Sequence, residues 1–158
     1  MKIVLAGGGS GGHLMPLVAV ARKIRDKYPE TELVFIGPVG EMENEIIGKE
    51  DIRMRRIMVG KMRRYFSWEN VRDFFKVPLG MIQCLYVLLA EMPDAIFSKG
   101  GYASVPVVLV GWLYRIPILI HESDATPGVA NDVLSKFADR VAIAYPEAEK
   151  EFPASQTV

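Results

Sequence analysis

"LAGGGSGGHLMP", residues 5–16, sets five glycines and a serine between an apolar run and a histidine. Read forward from "KIVLA" (2–6), the stretch is a short apolar strand, then a loop nearly without side chains, then a periodic segment of helical length starting at His13. A strand, glycine loop and helix in that order form the first unit of a parallel α/β sheet, with backbone N–H groups and a helix N-terminus facing whatever lies above the strand.

The rest of the chain repeats the alternation. Apolar runs of strand length fall at 2–6, 32–36, 53–58, 95–98, 117–121 and 140–144. Helix-length segments fall between them at 13–28, 41–49, 67–92, 103–114 and 126–137, with Pro78 expected to kink or split the third and a short acidic helix expected at 146–151. This pattern predicts a doubly wound parallel sheet, Rossmann-like, in one α/β domain of 158 residues.

Composition narrows the function classes. Nineteen Lys and Arg balance nineteen Asp and Glu, so net charge gives no sign of a nucleic-acid partner. The lone Cys84 leaves no intrachain disulfide and no multi-cysteine zinc site, which suits a reducing, cytoplasmic compartment. "MKIVLAGGG" is too short in its apolar part for an export signal, and the apolar stretch 105–120 is broken by Arg115 and Pro117, short of the ~20 residues of a spanning helix. No metal site and no cofactor are expected.

Gly7, Gly9 and Gly12 satisfy G-x-G-x-x-G. A dinucleotide fold also expects an acid at the end of the second strand, where this chain has "FIGPVG" (35–40) and reaches Glu41 only later, so that reading loses ground. The loop can equally be a phosphate cradle, formed by Gly8, Gly9, Ser10, Gly11 and Gly12, or a tight turn needed for packing. A second loop of the same kind, "SKGGYASVP" (98–106), presents Gly100, Gly101, Tyr102 and Ser104 to the same side of the sheet. Two cradles over one crevice suit a diphosphate or sugar phosphate. A third block, "LIHESDATPGVANDVL" (119–134), ends an apolar strand in His121, Glu122, Ser123 and Asp124, with Asn131 a turn into the next helix. Glu122 and Asn131 are taken as substrate-binding, and His121 as a strand-end histidine hydrogen-bonded in place.

The segments "GGGSGGHLMPLVAVA", "SKGGYASVPVVL" and "GWLYRIPILIHESDATPGVAN", with Pro78 inside "FFKVPLGMIQCLYVLL", resemble the N-terminal half of the MurG family of bacterial peptidoglycan glycosyltransferases, in order and spacing, over nearly the whole chain. The resemblance implies one half of a GT-B fold. It also implies inverting transfer of N-acetylglucosamine from UDP-N-acetylglucosamine to an undecaprenyl-diphosphate-linked muramyl-pentapeptide, without a required metal, at the cytoplasmic face of the membrane. It departs in one place: the family's usual "HEQN" is "HESD" here, which leaves the roles of Ser123 and Asp124 open. The family's second, nucleotide-sugar-binding domain is not within residues 1–158. The chain is therefore expected to be either part of a longer protein or one subunit of a split enzyme that docks a catalytic partner on the membrane.

Inverting transfer needs a base at the acceptor hydroxyl, and His13, at the mouth of the first cradle, is the candidate. The competing role for His13 is to hold the loop or the substrate by hydrogen bonds, and Glu122 is next in line as base. Eight basic residues between Arg53 and Lys76, interleaved with Tyr65, Phe66, Trp68, Phe74 and Phe75, mark an expected contact with an anionic membrane surface through Arg63, Arg64, Trp68, Arg72, Phe74 and Phe75, with Trp112 added from a later helix. The same aromatics could instead be core, with the arginines a solvated face.

Overall fold

Strand 2–6 carries apolar side chains on both sides, as a strand covered on both faces must. In the computed structural model, which describes residues 1–60 and 68–158 and the side chains of all of these except 68–76, the strand lies in the middle of the sheet. The elements run β1 (Lys2–Ala6), α1 (Gly11–Lys27), β2 (Glu32–Gly37), α2 (Glu41–Ile46), β3 (Arg53–Arg56), α3 (Trp68–Glu91), β4 (Ala95–Ser98), α4 (Val105–Leu113), β5 (Ile118–Glu122), α5 (Val129–Ser135) and β6 (Arg140–Ile143). All six strands are parallel, in the order β3-β2-β1-β4-β5-β6. The expected doubly wound sheet is present.

Alternation along each strand divides the core into two layers. Val4, Ala6, Val34, Ile36, Ile118 and Ile120 face one side, where Cys84 and Leu88 of α3, Val107 and Val110 of α4 and Leu134 of α5 cover them. Leu5, Leu33, Phe35 and Phe97 face the other, covered by Leu14, Leu17 and Ala21 of α1. Burial pushes the Cys84 thiol up to about 12, which makes it an inert core side chain.

The edge strand β3 is charged and largely exposed, which protects an unpaired edge. Two of its arginines also stabilise the amino end of the sheet. The buried Glu91 carboxylate, last residue of α3, receives Arg55 Nε at 2.5 Å, Lys2 Nζ at 3.1 Å and Arg53 Nη1 at 3.3 Å. Burial alone would raise its pKa, but Arg55 and Lys2 outweigh it and hold the carboxyl below its ordinary range.

Two expectations are corrected here. Pro78 lies inside α3 but does not split it; the helix continues, with Cys84 and Leu88 fully packed about two and three turns later. Tertiary packing outweighs the ~3 kcal/mol that an interior proline costs. Helix α5 starts at Val129 rather than at Thr126, because Gly128, at φ −68° and ψ 147°, is its extended N-cap.

Candidate functional site

Strand order reverses between β1 and β4, so the chain leaves their carboxyl ends in opposite directions and a crevice opens between them. Ala6 and Ser98 are register partners and the Lys99 amide donates to Ala6 O at 3.0 Å, so the two glycine loops leave the sheet side by side. A cavity of about 350 Å³ lies over this point, lined by Gly12, His13, Lys99 and Gly101 from the two loops and by Glu122 to Asp124 and 128–131 from the third block.

The first loop delivers His13 to this cavity. Ser10 is the N-cap of α1, yet its hydroxyl does not cap the helix; it lies 3.2 Å from His13 Nδ1, which is also 3.3 Å from Gly8 O. A carbonyl can only accept, so the contact with Gly8 selects the tautomer with hydrogen on Nδ1 and a lone pair on Nε2. Gly8 and Gly9 have φ of 123° and 80°, and a Cβ on Gly9 would lie 2.3 Å from Tyr102 Oη, so Tyr102 of the second loop sits on the first. The Gly9 amide is taken by Glu43 Oε1 at 2.9 Å, and Glu43 Oε2 accepts from Gly40 N at 3.1 Å. Gly11 and Gly12 differ from these. They have ordinary backbone angles, a Cβ on either would meet nothing within 4 Å, and as the first residues of α1 their amides have no intrahelical acceptor.

The second loop is held from within. Gly100 and Gly101 have φ of 85° and 77°; a Cβ would reach 1.7 Å from Asn131 Oδ1 at the first and 2.7 Å from His13 Cε1 at the second. Ser104 is fully buried and donates its hydroxyl to Gly101 O at 3.1 Å, which gives it a bracing role in this conformation.

Glu122 also binds the chain itself. It is 2% exposed; Oε1 accepts from Asp124 N at 3.0 Å, and Oε2 accepts from Gly128 N at 3.2 Å and Asn131 Nδ2 at 2.9 Å. Three donors occupy both carboxylate oxygens and tie the 123–128 loop to the end of β5. Asn131 Oδ1 is buried without a partner. Ser123 and Asp124 both line the cavity, with Ser123 Oγ 3.4 Å from Asp124 Oδ1. His121 stacks on Phe97 at 6.2 Å between ring centres. Burial, then the nearby Lys99 charge, lowers its pKa below the ordinary 6.5, against a smaller upward pull from Glu122.

Two buried charged residues beside the glycine loops escaped the sequence reading. Glu43 lay inside an apparently ordinary amphipathic helix; its spacing of three from Gly40, which lets the carboxylate reach back to the N-cap amide, was the available signal. Lys99 stood beside two glycines, and a lysine ending a buried strand was its signal. It is 4% exposed and the one buried cation among the described residues.

Of the expected membrane residues, Arg63 and Arg64 lie outside the described residues, as do the side chains of Trp68, Arg72, Phe74 and Phe75. Trp112 is exposed on α4 and meets Phe137 edge to face at 5.2 Å. The described half of α3 adds an apolar stripe that composition did not reveal: Leu79, Ile82 (62% exposed), Tyr86 (75%) and Leu89, at spacings of three, four and three. No helix among the described residues is long and apolar enough to cross a membrane.

Residues 3–143 match the model of the glycosyltransferase family 28 N-terminal domain. The chain is 42% identical over 157 residues to the UDP-N-acetylglucosamine--N-acetylmuramyl-(pentapeptide) pyrophosphoryl-undecaprenol N-acetylglucosamine transferase 3 of Bacillus thuringiensis (strain Al Hakam), and 42% identical over 158 residues to the corresponding transferase of Geobacillus thermodenitrificans. Each alignment covers 99% of this chain and 44% of the relative, so the chain spans under half the length of these proteins. Among solved structures, MurG of Acinetobacter baumannii superposes with a TM-score of 0.80 at 27% identity, over 99% of this chain and 43% of that one. UDP-GlcNAc 2-epimerase of Neisseria meningitidis shares the fold, with a TM-score of 0.72 at 11% identity over 100% of this chain and 46% of that one.

Proposed function

Because the chain belongs to glycosyltransferase family 28, we propose that it is the acceptor-binding half of an inverting N-acetylglucosaminyltransferase of peptidoglycan synthesis. The acceptor is a polyprenyl-diphosphate-linked muramyl-pentapeptide. The donor, UDP-N-acetylglucosamine, is held by a second, nucleotide-sugar-binding domain of the complete enzyme.

One observation carries the reading: the loop after β1 brings the His13 imidazole and Gly12, the second residue of α1, to the same cavity, with Gly11 directly before it. Gly8 O takes the Nδ1 hydrogen, so Nε2 is left to accept a proton from the acceptor hydroxyl as that oxygen attacks the anomeric carbon of the donor. The amides of Gly11 and Gly12, at the positive end of α1, bind a phosphate of the acceptor and fix its distance from His13. Glu122 shapes the cavity wall instead of acting on the proton. The dinucleotide reading is weaker, because no acid stands free at the end of β2 and Glu43 is bonded to the protein's own amides.

His13→Ala in the complete two-domain enzyme tests the assignment. Loss of a general base lowers kcat by about 100-fold or more, with acceptor KM little changed. A kcat within a few fold of wild type together with a raised KM would make His13 a binding residue.

The membrane-facing surface is assigned to the stripe Leu79, Ile82, Tyr86 and Leu89 together with Trp112, the stripe following the basic and aromatic stretch in sequence. An apolar stripe that follows a basic stretch in sequence suits the headgroup region of an anionic bilayer, where a lipid-linked substrate resides. Ile82→Ser with Tyr86→Ser should abolish flotation with anionic vesicles while leaving the melting temperature nearly unchanged, since both side chains are already exposed. Unchanged flotation would move the membrane contact elsewhere.

A further inference from the structure

Buried charges in this chain fall into two groups. Glu91 at the amino end of the sheet has three cations around it, and Glu43 and Glu122 at the carboxyl end accept hydrogen bonds from backbone amides, with Asn131 adding one to Glu122. Each carboxylate is stabilised by donors belonging to the protein. Lys99 is the exception: it is 96% buried by residue exposure of 4%, and among the described residues no carboxylate forms an ion pair with it. Lys99 lines the cavity, so the place left for its counter-charge is the cavity itself, which calls for an anion from outside the chain.

Its position identifies that anion. Lys99 follows β4 directly, in register with the first residue of the glycine loop after β1; a Cβ on Gly7 would lie 3.6 Å from Lys99 Cβ. It lines the same cavity as Gly12, His13 and Gly101. A group in that cavity lies between Gly12 at the start of α1 and Lys99 after β4, so a diphosphate of the proposed acceptor placed there meets a helix N-terminus and an ammonium together.

We infer that Lys99 is the cationic ligand of a diphosphate group bound across the two glycine loops, the amides of Gly11 and Gly12 taking one phosphate and the Lys99 ammonium the other. The inference rests on the acceptor-binding reading above and adds a residue to it. It gives the second loop its own means of recognition: the glycines there let Asn131 and His13 pack closely, and the charge of the adjacent lysine meets the ligand.

Calorimetry on the 158-residue chain tests it, with inorganic pyrophosphate, geranyl diphosphate and UDP as probes. In Lys99→Met, affinity for pyrophosphate and geranyl diphosphate should fall by about tenfold or more, the effect of losing a hydrogen bond to a charged group, while Lys99→Arg retains most of it. The Lys99→Met protein should melt at or above the wild-type temperature, because an unpaired buried charge has been removed. Equal diphosphate affinity in wild type and Lys99→Met, or a large drop in melting temperature for both variants, would overturn the inference by making Lys99 a packing residue. If Gly12→Ala weakens binding and Lys99→Met does not, the crevice reading stands and the role of Lys99 falls. Failure of the wild-type chain to bind any diphosphate overturns both. UDP bound tightly and geranyl diphosphate weakly, each with the same dependence on Lys99, would keep the lysine as phosphate ligand and overturn the assignment of this half to the acceptor.

Discussion

The two glycine loops look alike in sequence and solve different problems. In the loop after β4, Gly100 and Gly101 adopt left-handed angles and their missing Cβ atoms make room for Asn131 and His13. Their cause lies inside the protein. In the loop after β1, Gly8 and Gly9 serve the same internal purpose, but Gly11 and Gly12 have ordinary helical geometry and open space where a Cβ would stand. Packing gives no reason for a glycine at either position, and helix propensity disfavours it by ~1 kcal/mol relative to alanine. On the function proposed above, the reason is exposure of the amides at the start of α1 to a ligand. Glycine therefore marks a ligand site only where neither backbone angle nor a neighbour demands it.

This contrast is easiest to break with alanine. Gly100→Ala should produce the largest effect, a loss of about 2–4 kcal/mol in urea unfolding, because left-handed strain adds to a collision with Asn131. Wild-type stability in that variant would mean that Asn131 can move away, and the loop would not be held from within. Gly12→Ala should leave stability unchanged or raise it by up to ~1 kcal/mol, since alanine is the better helix residue, yet weaken pyrophosphate binding several-fold by shielding the amide. If Gly12→Ala destabilised the chain and left binding intact, the distinction between the loops would collapse.

The smallest expected effect sharpens the electrostatics of the crevice. His121 is held below 6.5 by burial first and by the Lys99 charge second, with Glu122 pulling the other way. An imidazole whose folded pKa is depressed favours folding above its unfolded value, and that contribution is lost as pH falls from about 6.5 through the folded value. Lys99→Met should raise the His121 pKa in an NMR titration, without restoring the ordinary value because burial, the larger cause, persists. Diphosphate binding to the wild type should shift it the same way. No change in either experiment would show that the Lys99 ammonium does not reach the space beside His121.

The fold was largely legible. Strands β1, β2 and β4 ended within a residue of expectation, because a strand buried on both faces is a nearly unbroken apolar run bounded by glycine or a polar residue. Less was legible at β3 and α5. At the edge of the sheet the run 53–58 pairs only as far as Arg56, and α5 lost its first turn because the carboxylate of Glu122 pins the Gly128 amide in an extended conformation. Site residues divided in the same way. His13, Gly11 and Gly12 follow from local order, as the third, first and second residues of a helix that leaves a central strand. Glu122 and Asn131 could be recognised as important but not as partners of each other, since nine residues separate them and only the fold brings them to 2.9 Å.

Local pattern was enough for the alternation of strands and helices, for the crevice at the carboxyl ends, and for a histidine at its mouth, because periodicity and glycine placement act over a few neighbouring residues. The fates of the charged groups needed the packed molecule. Glu43, Glu91, Glu122 and Lys99 are all buried, and nothing in their immediate sequence separates the three carboxylates, which accept hydrogen bonds from the protein, from the lysine, which forms no ion pair among the described residues. Burial and pairing depend on which distant segments meet, through hydrogen bonds reaching back 34 residues from Glu43 to Gly9 and 89 from Glu91 to Lys2. Desolvation is a property of the whole surrounding shell, so the charge that faces the ligand becomes visible only when that shell is complete.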